Sequence, residues 1–296
     1  MSDAVSSLEA RRIRSHSVSS SLRQERIAKL ALQWTVLTLA LISVIFPLYW
    51  MLLTAFDPPT LSYSTKISLV PKQLTFAAFA QLIREYPFLL WMWNSAVVAI
   101  LSTLLAVVVG TMAAYSLVRF KTGGENLAVW IISQRMMPPV AIVFPVFLLY
   151  VFFGWVDTFF GLILLYTAFN LPYVIWMMRG YIEDIPLELE ESALVDGCSR
   201  WEVLWKVVMP MARSGLFATA VFTFVFAWNE FLFALVLTRS EVTTFPVQVT
   251  HYLGGQSNFY SKIAAMSVLG TLPIFVAVAM LQRFLVRGIS LGAVKG

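Results

Sequence analysis

Charged residues are scarce in this sequence. Only 12% of its 296 residues are Asp, Glu, Lys or Arg, whereas 59% are hydrophobic and the mean hydropathy is +0.79. An average soluble domain has about 25% charged residues, roughly twice as many. A water-soluble fold of this composition would expose large apolar patches, so the composition predicts a chain that is solvated by lipid.

Cysteine and histidine are also rare. Cys198 is the single cysteine, which excludes an internal disulfide, and with only His16 and His251 the chain lacks the ligands for a Cys/His metal cage. A G-x-x-x-x-G-K-[ST] phosphate loop is missing as well, because no lysine follows the glycine pairs at 123–124 and 254–255. We therefore expect no metal, no catalytic residue and no ATP hydrolysis on this chain.

Apolar residues gather in six runs, each long enough for an α-helix to cross about 30 Å of hydrocarbon, which takes about 20 residues. Only Arg135 in the third run and Glu230 in the fifth carry charge. These runs predict an all-α, polytopic membrane protein with six transmembrane helices at Leu30–Phe56, Tyr86–Val118, Leu127–Phe153, Thr158–Met178, Ser214–Thr238 and Ile263–Gln282.

The positive charges predict the orientation of these helices. With the N-terminus inside, fifteen Lys and Arg residues fall in inner segments and five in outer segments. This bias places both termini in the cytoplasm. Because the charges lie between apolar runs, the net charge of +5 does not indicate nucleic-acid binding. Residues 1–29 are expected to form a mostly disordered basic tail, since the first run is too long for a cleaved signal peptide.

The connection between the fourth and fifth runs, residues 180–213, is called the inner loop below. Asp184 is expected to cap a helix that has Pro186 in its first turn and that stops at Gly197. Ser199 and Glu202 have the spacing of a capping box, which predicts a second helix. This second helix is expected to end at Pro210. One of its faces is expected to be apolar and to contain Trp201, Leu204, Trp205 and Val208.

A helix–turn–helix in the inner loop permits two interpretations. It either packs under its own bundle or serves as a docking surface for a cytoplasmic partner. The order of residues favours the second, because Glu191-Ser192-Ala193, Gly197 and Val207-Val208-Met209-Pro210 resemble the E-A-A…G…I-x-L-P loop of ABC importer permeases. Ser192, Val207 and Met209 replace the usual Ala, Ile and Leu with residues of similar size or polarity.

Three further stretches resemble the maltose-type carbohydrate permeases, and in particular their smaller six-span partner. They are Arg135–Pro139, Ala227–Phe231 and the C-terminal segment Gln282–Gly296. The resemblance implies a type I ABC importer permease fold with a core at 89–288 that contains the inner loop. The first transmembrane helix and an outer loop, 30–88, would precede the core, and a cytoplasmic C-terminus, 289–296, would follow it.

The resemblance also implies partners. The inner loop would couple to ABC ATPase subunits, which are separate chains that carry the ATP and Mg of the complex. The implied coupling residues are Glu191, Ser192, Ala193, Asp196, Gly197, Trp201 and Pro210. Two such subunits, a second non-identical permease and an extracytoplasmic sugar-binding protein would complete the transporter. In the last outer loop, residues 239–262, the implied contacts with that binding protein are His251, Tyr252, Gly254, Gly255 and Gln256.

Polar groups at membrane depth are candidates for a sugar pathway, because amides and aromatic faces hold sugars and because buried charge normally faces a cavity or a partner. The candidates are Asn94, Arg135, Asn170, Tyr173, Trp228, Asn229 and Glu230. For Glu230 the alternative is a structural hydrogen bond to a neighbouring helix, and for Arg135 the alternative is extension toward the inner surface. A permease for another polar solute and a stand-alone secondary transporter are the competing functions.

Overall fold

The computed structural model describes the backbone of residues 2–58, 73–251 and 260–292, and the side chains of 26–58, 73–251 and 260–282. All regular structure in these ranges is helical, which confirms the all-α prediction. The helices are α1 Ser2–Phe56, α2 Ala77–Glu85, α3 Phe88–Arg119, α4 Gly124–Ser133, α5 Pro139–Phe153, α6 Phe159–Glu183, α7 Leu187–Val195, α8 Arg200–Val203, α9 Met209–Met211, α10 Arg213–Trp228, α11 Leu232–Leu237, α12 Phe245–His251 and α13 Tyr260–Gly292.

Four of these helices are long and apolar enough to cross a membrane within the described residues. They are Arg26–Phe56 of α1, then α3 and α6, and Tyr260–Gln282 of α13. Two bent helix pairs pass the same test together, which brings the number of candidate spans to as many as six. The chain is therefore a multi-pass membrane protein.

The core forms where α3 packs along α6, with α10 against both. Close approach of α3 and α6 depends on Gly110, because a Cβ there would lie 2.6 Å from Cγ1 of Val174. By contrast, the most apolar stretch of α1 has no buried residue, and α1 packs mainly on α13. The centre of the fold is thus the α3–α6 pair, and α1 lies at its edge.

The third apolar run does not form one straight helix. The chain leaves α4 through a short 3-10 turn, Gln134–Met136, and enters α5 after a bend of 92°. Pro138 and Pro139 explain the break, since proline supplies no N–H and disfavours helical geometry in the residue before it. Arg135 lies in this break, where helical geometry gives way to extended backbone at Met137.

The fifth run is also interrupted, although we predicted a continuous helix. α10 ends at Trp228, and α11 begins at Leu232 after three intervening residues. The Glu230 carboxylate accepts hydrogen bonds from the backbone N–H groups of Phe233 (2.9 Å) and Ala234 (3.1 Å). A carboxylate that satisfies the free N–H groups at the start of a helix stabilises a new helix start at this position.

The basic tail differs from expectation. Residues 1–29 were predicted to be mostly disordered, yet α1 begins at Ser2 and continues into the first apolar run. The tail contains good helix formers such as Leu, Arg, Gln and Glu, and it extends a helix that is already nucleated. Helix elongation costs less than nucleation, which accounts for the continuous α1.

Candidate functional site

The inner loop folds as a helix–turn–helix, as predicted. α7 ends in a pair of hydrogen bonds in which Gly197 N–H donates to Leu194 O (3.1 Å) and Cys198 N–H donates to Ala193 O (3.0 Å). Gly197 has φ +91°, a conformation that favours glycine. These two bonds and the positive φ form the Schellman ending of a helix, which fixes the direction of the turn.

Both predicted helix starts can be compared with the structure. The capping box is present, because Ser199 Oγ accepts from Glu202 N–H (3.3 Å) while Glu202 Oε2 accepts from Ser199 N–H (2.9 Å). The prediction for Asp184 was wrong. This residue ends α6, and Pro186 occupies the N-cap position of α7. Extended backbone at Pro186 (ψ 131°) allows the chain to turn directly into α7.

The apolar face predicted for the second helix is divided between two environments. Leu204 and Val208 are buried in the core cluster that also includes residues of α3 and α6. Trp201 is 55% exposed and Trp205 39% exposed, with their rings in edge contact at 5.7 Å. A π-helical turn at 204–208 separates α8 from α9 and shifts the helical register. The buried part of this face fits packing under the bundle, and docking of the exposed part on a partner stays a prediction.

Further exposed apolar residues lie on α7. Val195 is 88% exposed, and Leu187 and Leu189 on the same helix are exposed too. The helix–turn–helix also lies across the end of the bundle, because the chain turns by 80° between α9 and α10. We call these five side chains the docking surface: Leu187, Leu189, Val195, Trp201 and Trp205.

Most residues predicted to couple to an ATPase lie at the surface of the helix–turn–helix. Ala193 is half-buried against the core, and the others are exposed or nearly so: Glu191, Ser192, Asp196, Gly197, Trp201 and Pro210. The Glu191 carboxylate makes no hydrogen bond or ion pair with any residue that the structure describes, which leaves it available to a partner. Their role in coupling stays a prediction.

A buried ionic network lies behind this surface and was missed at the sequence level. Glu190 of α7 is 0% exposed, and its carboxylate accepts from Arg119 Nε (2.6 Å) and from the Tyr115 hydroxyl (2.9 Å). Arg119 Nη2 also donates to Ile182 O (2.9 Å) and Ile185 O (2.8 Å). One signal could have identified it: Glu190 is three and four residues from the half-buried Ala193 and Leu194, on the same face of α7.

Three of the predicted pathway residues come together. Arg135 Nη1 donates to Phe169 O (2.9 Å) and to Asn170 Oδ1 (3.2 Å). Its guanidinium lies 5.7 Å from the ring centre of Tyr173 and 4.9 Å from that of Phe226, a residue that the sequence analysis had not identified. This cluster combines a cation, an amide and two aromatic rings from three separate segments. Arg135 is only partly exposed, so it is held on α6 rather than extended into solvent.

The other pathway candidates are engaged in structural hydrogen bonds. Asn94 is buried and donates to Thr243 O (3.1 Å), whereas Trp228 is buried and donates to Gly270 O (3.0 Å). Asn229 is exposed and ends α10, and its amide donates to Val225 O (2.8 Å). For Glu230 the cap of α11 corresponds to the structural alternative. Their contribution to a pathway stays a prediction.

The beginning of the last outer loop is held by Asp157, another residue that the sequence analysis missed. Its carboxylate accepts four backbone hydrogen bonds of 2.9–3.1 Å, donated by Arg239, Ser240, Glu241 and Val242. Burial alone would raise the pKa of Asp157, but these four donors together lower it below its ordinary value. His251 is exposed at the end of α12, and the other predicted binding-protein contacts, Tyr252, Gly254, Gly255 and Gln256, lie outside the described residues.

Comparison with known proteins identifies the architecture. Residues 106–291 match the family described as binding-protein-dependent transport system inner membrane component. The probable ABC transporter permease protein y4oR of Sinorhizobium fredii is 37% identical, covering 89% of this chain and 95% of the relative. The trehalose transport system permease protein SugB of Mycobacterium tuberculosis is 34% identical (91% and 99%). The trehalose/maltose transport system permease protein MalG of Thermococcus litoralis is 30% identical (93% and 100%).

A solved structure has the same fold. One chain in the crystal structure of a bacterial ABC transporter involved in the import of the acidic polysaccharide alginate matches with a TM-score of 0.75 and 22% identity. The match covers 88% of this chain and 97% of that chain. The chain as a whole therefore has the fold of a known structure.

Proposed function

The chain belongs to the family of binding-protein-dependent transport system inner membrane components, and from that premise we propose that it is the permease subunit of an ATP-driven sugar importer. It forms half of the translocation pathway, and the second half comes from a non-identical permease. The inner loop couples this pathway to a cytoplasmic ATPase. The chain itself makes no covalent bonds, and ATP and Mg belong to the ATPase.

The observation that carries this proposal is the docking surface on a rigid support. Apolar side chains that a loop exposes to water are unfavourable in free energy unless a partner protein covers them. Here Val195 and the two tryptophans protrude from helices that are fixed by a Schellman ending and a capping box. A rigid projection transmits displacement, whereas a flexible loop would absorb it. The docking surface therefore suits a partner that pushes on the membrane helices.

The family description and the charge bias support a set of partners on both sides of the membrane. Importers of this family work with a binding protein, as the family description states. We propose two ATPase subunits below the membrane and an extracytoplasmic sugar-binding protein above it, with both termini cytoplasmic. The outer loop, whose first residues are held by Asp157, is the proposed contact with the binding protein.

Sugar as the solute is supported by two kinds of observation. SugB and MalG are named for transport of trehalose and of trehalose or maltose. Within the chain, Arg135, Asn170, Tyr173 and Phe226 combine hydrogen-bonding groups with aromatic rings, the pairing that suits hydroxyls and apolar sugar faces. We propose that this cluster faces the solute during transport.

The experiment measures ATP-driven uptake in proteoliposomes that contain the complete transporter and its binding protein. Radiolabelled trehalose and maltose are the test solutes, and a labelled amino acid tests the alternative of another polar solute. We expect saturable uptake of a labelled sugar, and we expect unlabelled sugars to compete with this uptake. Uptake of the amino acid alone would refute the sugar assignment, and no ATP-dependent uptake of any solute would refute the importer function.

Two variants of one residue test the coupling loop in the same assay. Gly197→Pro removes an N–H donor and cannot adopt φ +91°, so we expect normal membrane insertion but loss of uptake while ATP hydrolysis continues. Gly197→Asn is the matched control, because asparagine tolerates the left-handed conformation and keeps the N–H. Wild-type uptake in the Gly197→Pro variant would count against the docking role.

A further inference from the structure

A fully buried carboxylate connects the docking surface to the membrane helices. Glu190 lies on α7, immediately before the exposed Glu191, and its partners Arg119 and Tyr115 lie in the last turns of α3. Three acidic residues occur close together on α7, but only Glu190 points inward, whereas Glu188 and Glu191 are exposed. The two faces of α7 therefore have different tasks: the exposed face is available to a partner, and Glu190 attaches the helix to the bundle.

Arg119 extends the attachment to a third helix. Its Nε contacts Glu190, and its Nη2 donates to Ile182 O in the last turn of α6 and to Ile185 O, two residues after that helix ends. A cation at the C-terminal end of a helix interacts favourably with the helix dipole. One guanidinium thus holds the end of α3, the end of α6 and the start of α7 at a single point.

The helices joined at this point are the ones that carry the candidate pathway. α3 and α6 approach closely at Gly110 and Val174, and α6 carries Asn170 and Tyr173. A buried ion pair contributes little net stability compared with an apolar replacement, but removing one partner leaves an uncompensated charge. The buried charge of Glu190, which is 0% exposed, is therefore better explained by the helix geometry that it fixes than by a gain in folding stability.

From these contacts, and resting on the proposed function, we infer that Glu190, Arg119 and Tyr115 form the joint that transmits movement of the docked α7 to α3 and α6. Glu190 is a positioning residue. It contacts neither the solute nor the nucleotide, and it fixes the angle between the coupling helix and the helices that line the pathway. Without this joint the ATPase still docks on the exposed face, but less of its stroke reaches α3 and α6, because mainly apolar contacts, such as those of Leu204 and Val208, then connect the helix–turn–helix to them.

The test measures solute transported per ATP hydrolysed by the complete transporter in proteoliposomes. Glu190→Gln keeps the shape but removes the charge, and we expect this ratio to fall about tenfold, a usual size of coupling between sites. Copurification with the ATPase is expected to stay normal. Glu188→Gln is the matched control, because it makes the same chemical change on the exposed face of α7, and its ratio should equal that of the wild type.

Tyr115→Phe is a milder second variant that removes a single O–H donor to Glu190. We expect a smaller fall in the same ratio, which keeps the inference testable if Glu190→Gln fails to insert. A wild-type ratio in both variants would overturn the inference. So would an equal loss in Glu188→Gln, because the effect would then not depend on the buried network.

A distance measurement separates failure of this inference from failure of the proposed function. Spin labels at Glu188→Cys on α7, which is exposed and outside the docking surface, and at Ser240→Cys on the outer loop, in a Cys198→Ser background without other cysteines, report the position of α7 relative to the bundle. We expect a narrow distance distribution in the otherwise native complex and a clearly broader one with Glu190→Gln. Equal widths would overturn the joint even if uptake is ATP-driven, whereas broadening without any ATP-driven uptake would refute only the importer function.

Discussion

Replacing Trp201 by alanine is the sharpest test of the docking surface. The Trp201 side chain is 55% exposed in the isolated chain, and it lies beside Trp205 at the tip of the helix–turn–helix. If an ATPase subunit covers it, the area that is now exposed leaves water on docking. Trp201→Ala removes this area without changing the capping box or the buried Leu204.

The magnitude follows from the exposed fraction. A tryptophan side chain buries up to about 250 Å², so a 55% exposed one has roughly 140 Å² left to cover. At about 25 cal/mol per Å² this area is worth ~3.5 kcal/mol, of which the alanine side chain would retain a part. We therefore expect Trp201→Ala to weaken ATPase binding by about 2–3 kcal/mol, or roughly 30- to 140-fold in Kd.

The assay is a titration of the solubilised permease pair with purified ATPase subunit. Trp93→Ala is the matched control, since Trp93 is a comparably exposed tryptophan (65%) near the start of α3, far along the chain from the inner loop. Its Kd should equal that of the wild type. A Kd for Trp201→Ala within threefold of the wild type would refute the reasoning, because the exposed indole would then lie outside the interface.

Three further predictions concern other parts of the chain. Asp157→Asn should lower the free energy of unfolding at pH 7 by about 1–3 kcal/mol, because each carboxylate oxygen accepts two bonds and the amide nitrogen that replaces one oxygen leaves two N–H donors without an acceptor. The lowered pKa of Asp157 means that its contribution is present above the unfolded pKa of about 4 and is lost as pH falls through the folded value. Melting curves between pH 7 and pH 3 should therefore converge for wild type and variant at the acid end, and parallel curves would contradict this. Gly215→Ala should destabilise the chain by about 1–3 kcal/mol, since a Cβ there overlaps the Tyr181 ring, and unchanged melting would contradict the packing. Arg135→Met should reduce sugar uptake at least tenfold while ATP hydrolysis persists, with Lys121→Met as control, and normal uptake would exclude the cluster with Asn170 from the pathway.

The sequence predicted the features that depend on local rules. Helix length against bilayer thickness located the apolar runs, and the Ser199–Glu202 spacing predicted the capping box that the structure contains. Gly197 predicted the end of α7 through another local rule, because few other residues adopt φ +91°. The resemblance of the inner loop to ABC importer permeases agrees with the matched family.

Features that depend on tertiary contacts could not be predicted in this way. Glu190 differs from Glu188 and Glu191 only through Arg119 and Tyr115, which are 71 and 75 residues away in sequence. The division of the apolar face around Trp201 and Trp205 into a buried and an exposed part likewise depends on a π-helical turn. A search for the 3.6-residue period of an α-helix does not predict such a turn. The break at Asn229–Phe231 was missed because hydropathy counts Glu230 as one charge in an apolar run and ignores its capacity to cap a helix.

Solute uptake with and without the ATPase tests the central claim most directly. Proteoliposomes that contain both permeases are prepared with or without the ATPase subunits, supplied with the binding protein on one side and ATP on the other, and assayed for labelled sugar. We predict accumulation only when ATPase and ATP are both present on the side of the helix–turn–helix. Accumulation in vesicles that lack the ATPase would contradict the account, because transport would then not require an ATPase bound at the docking surface.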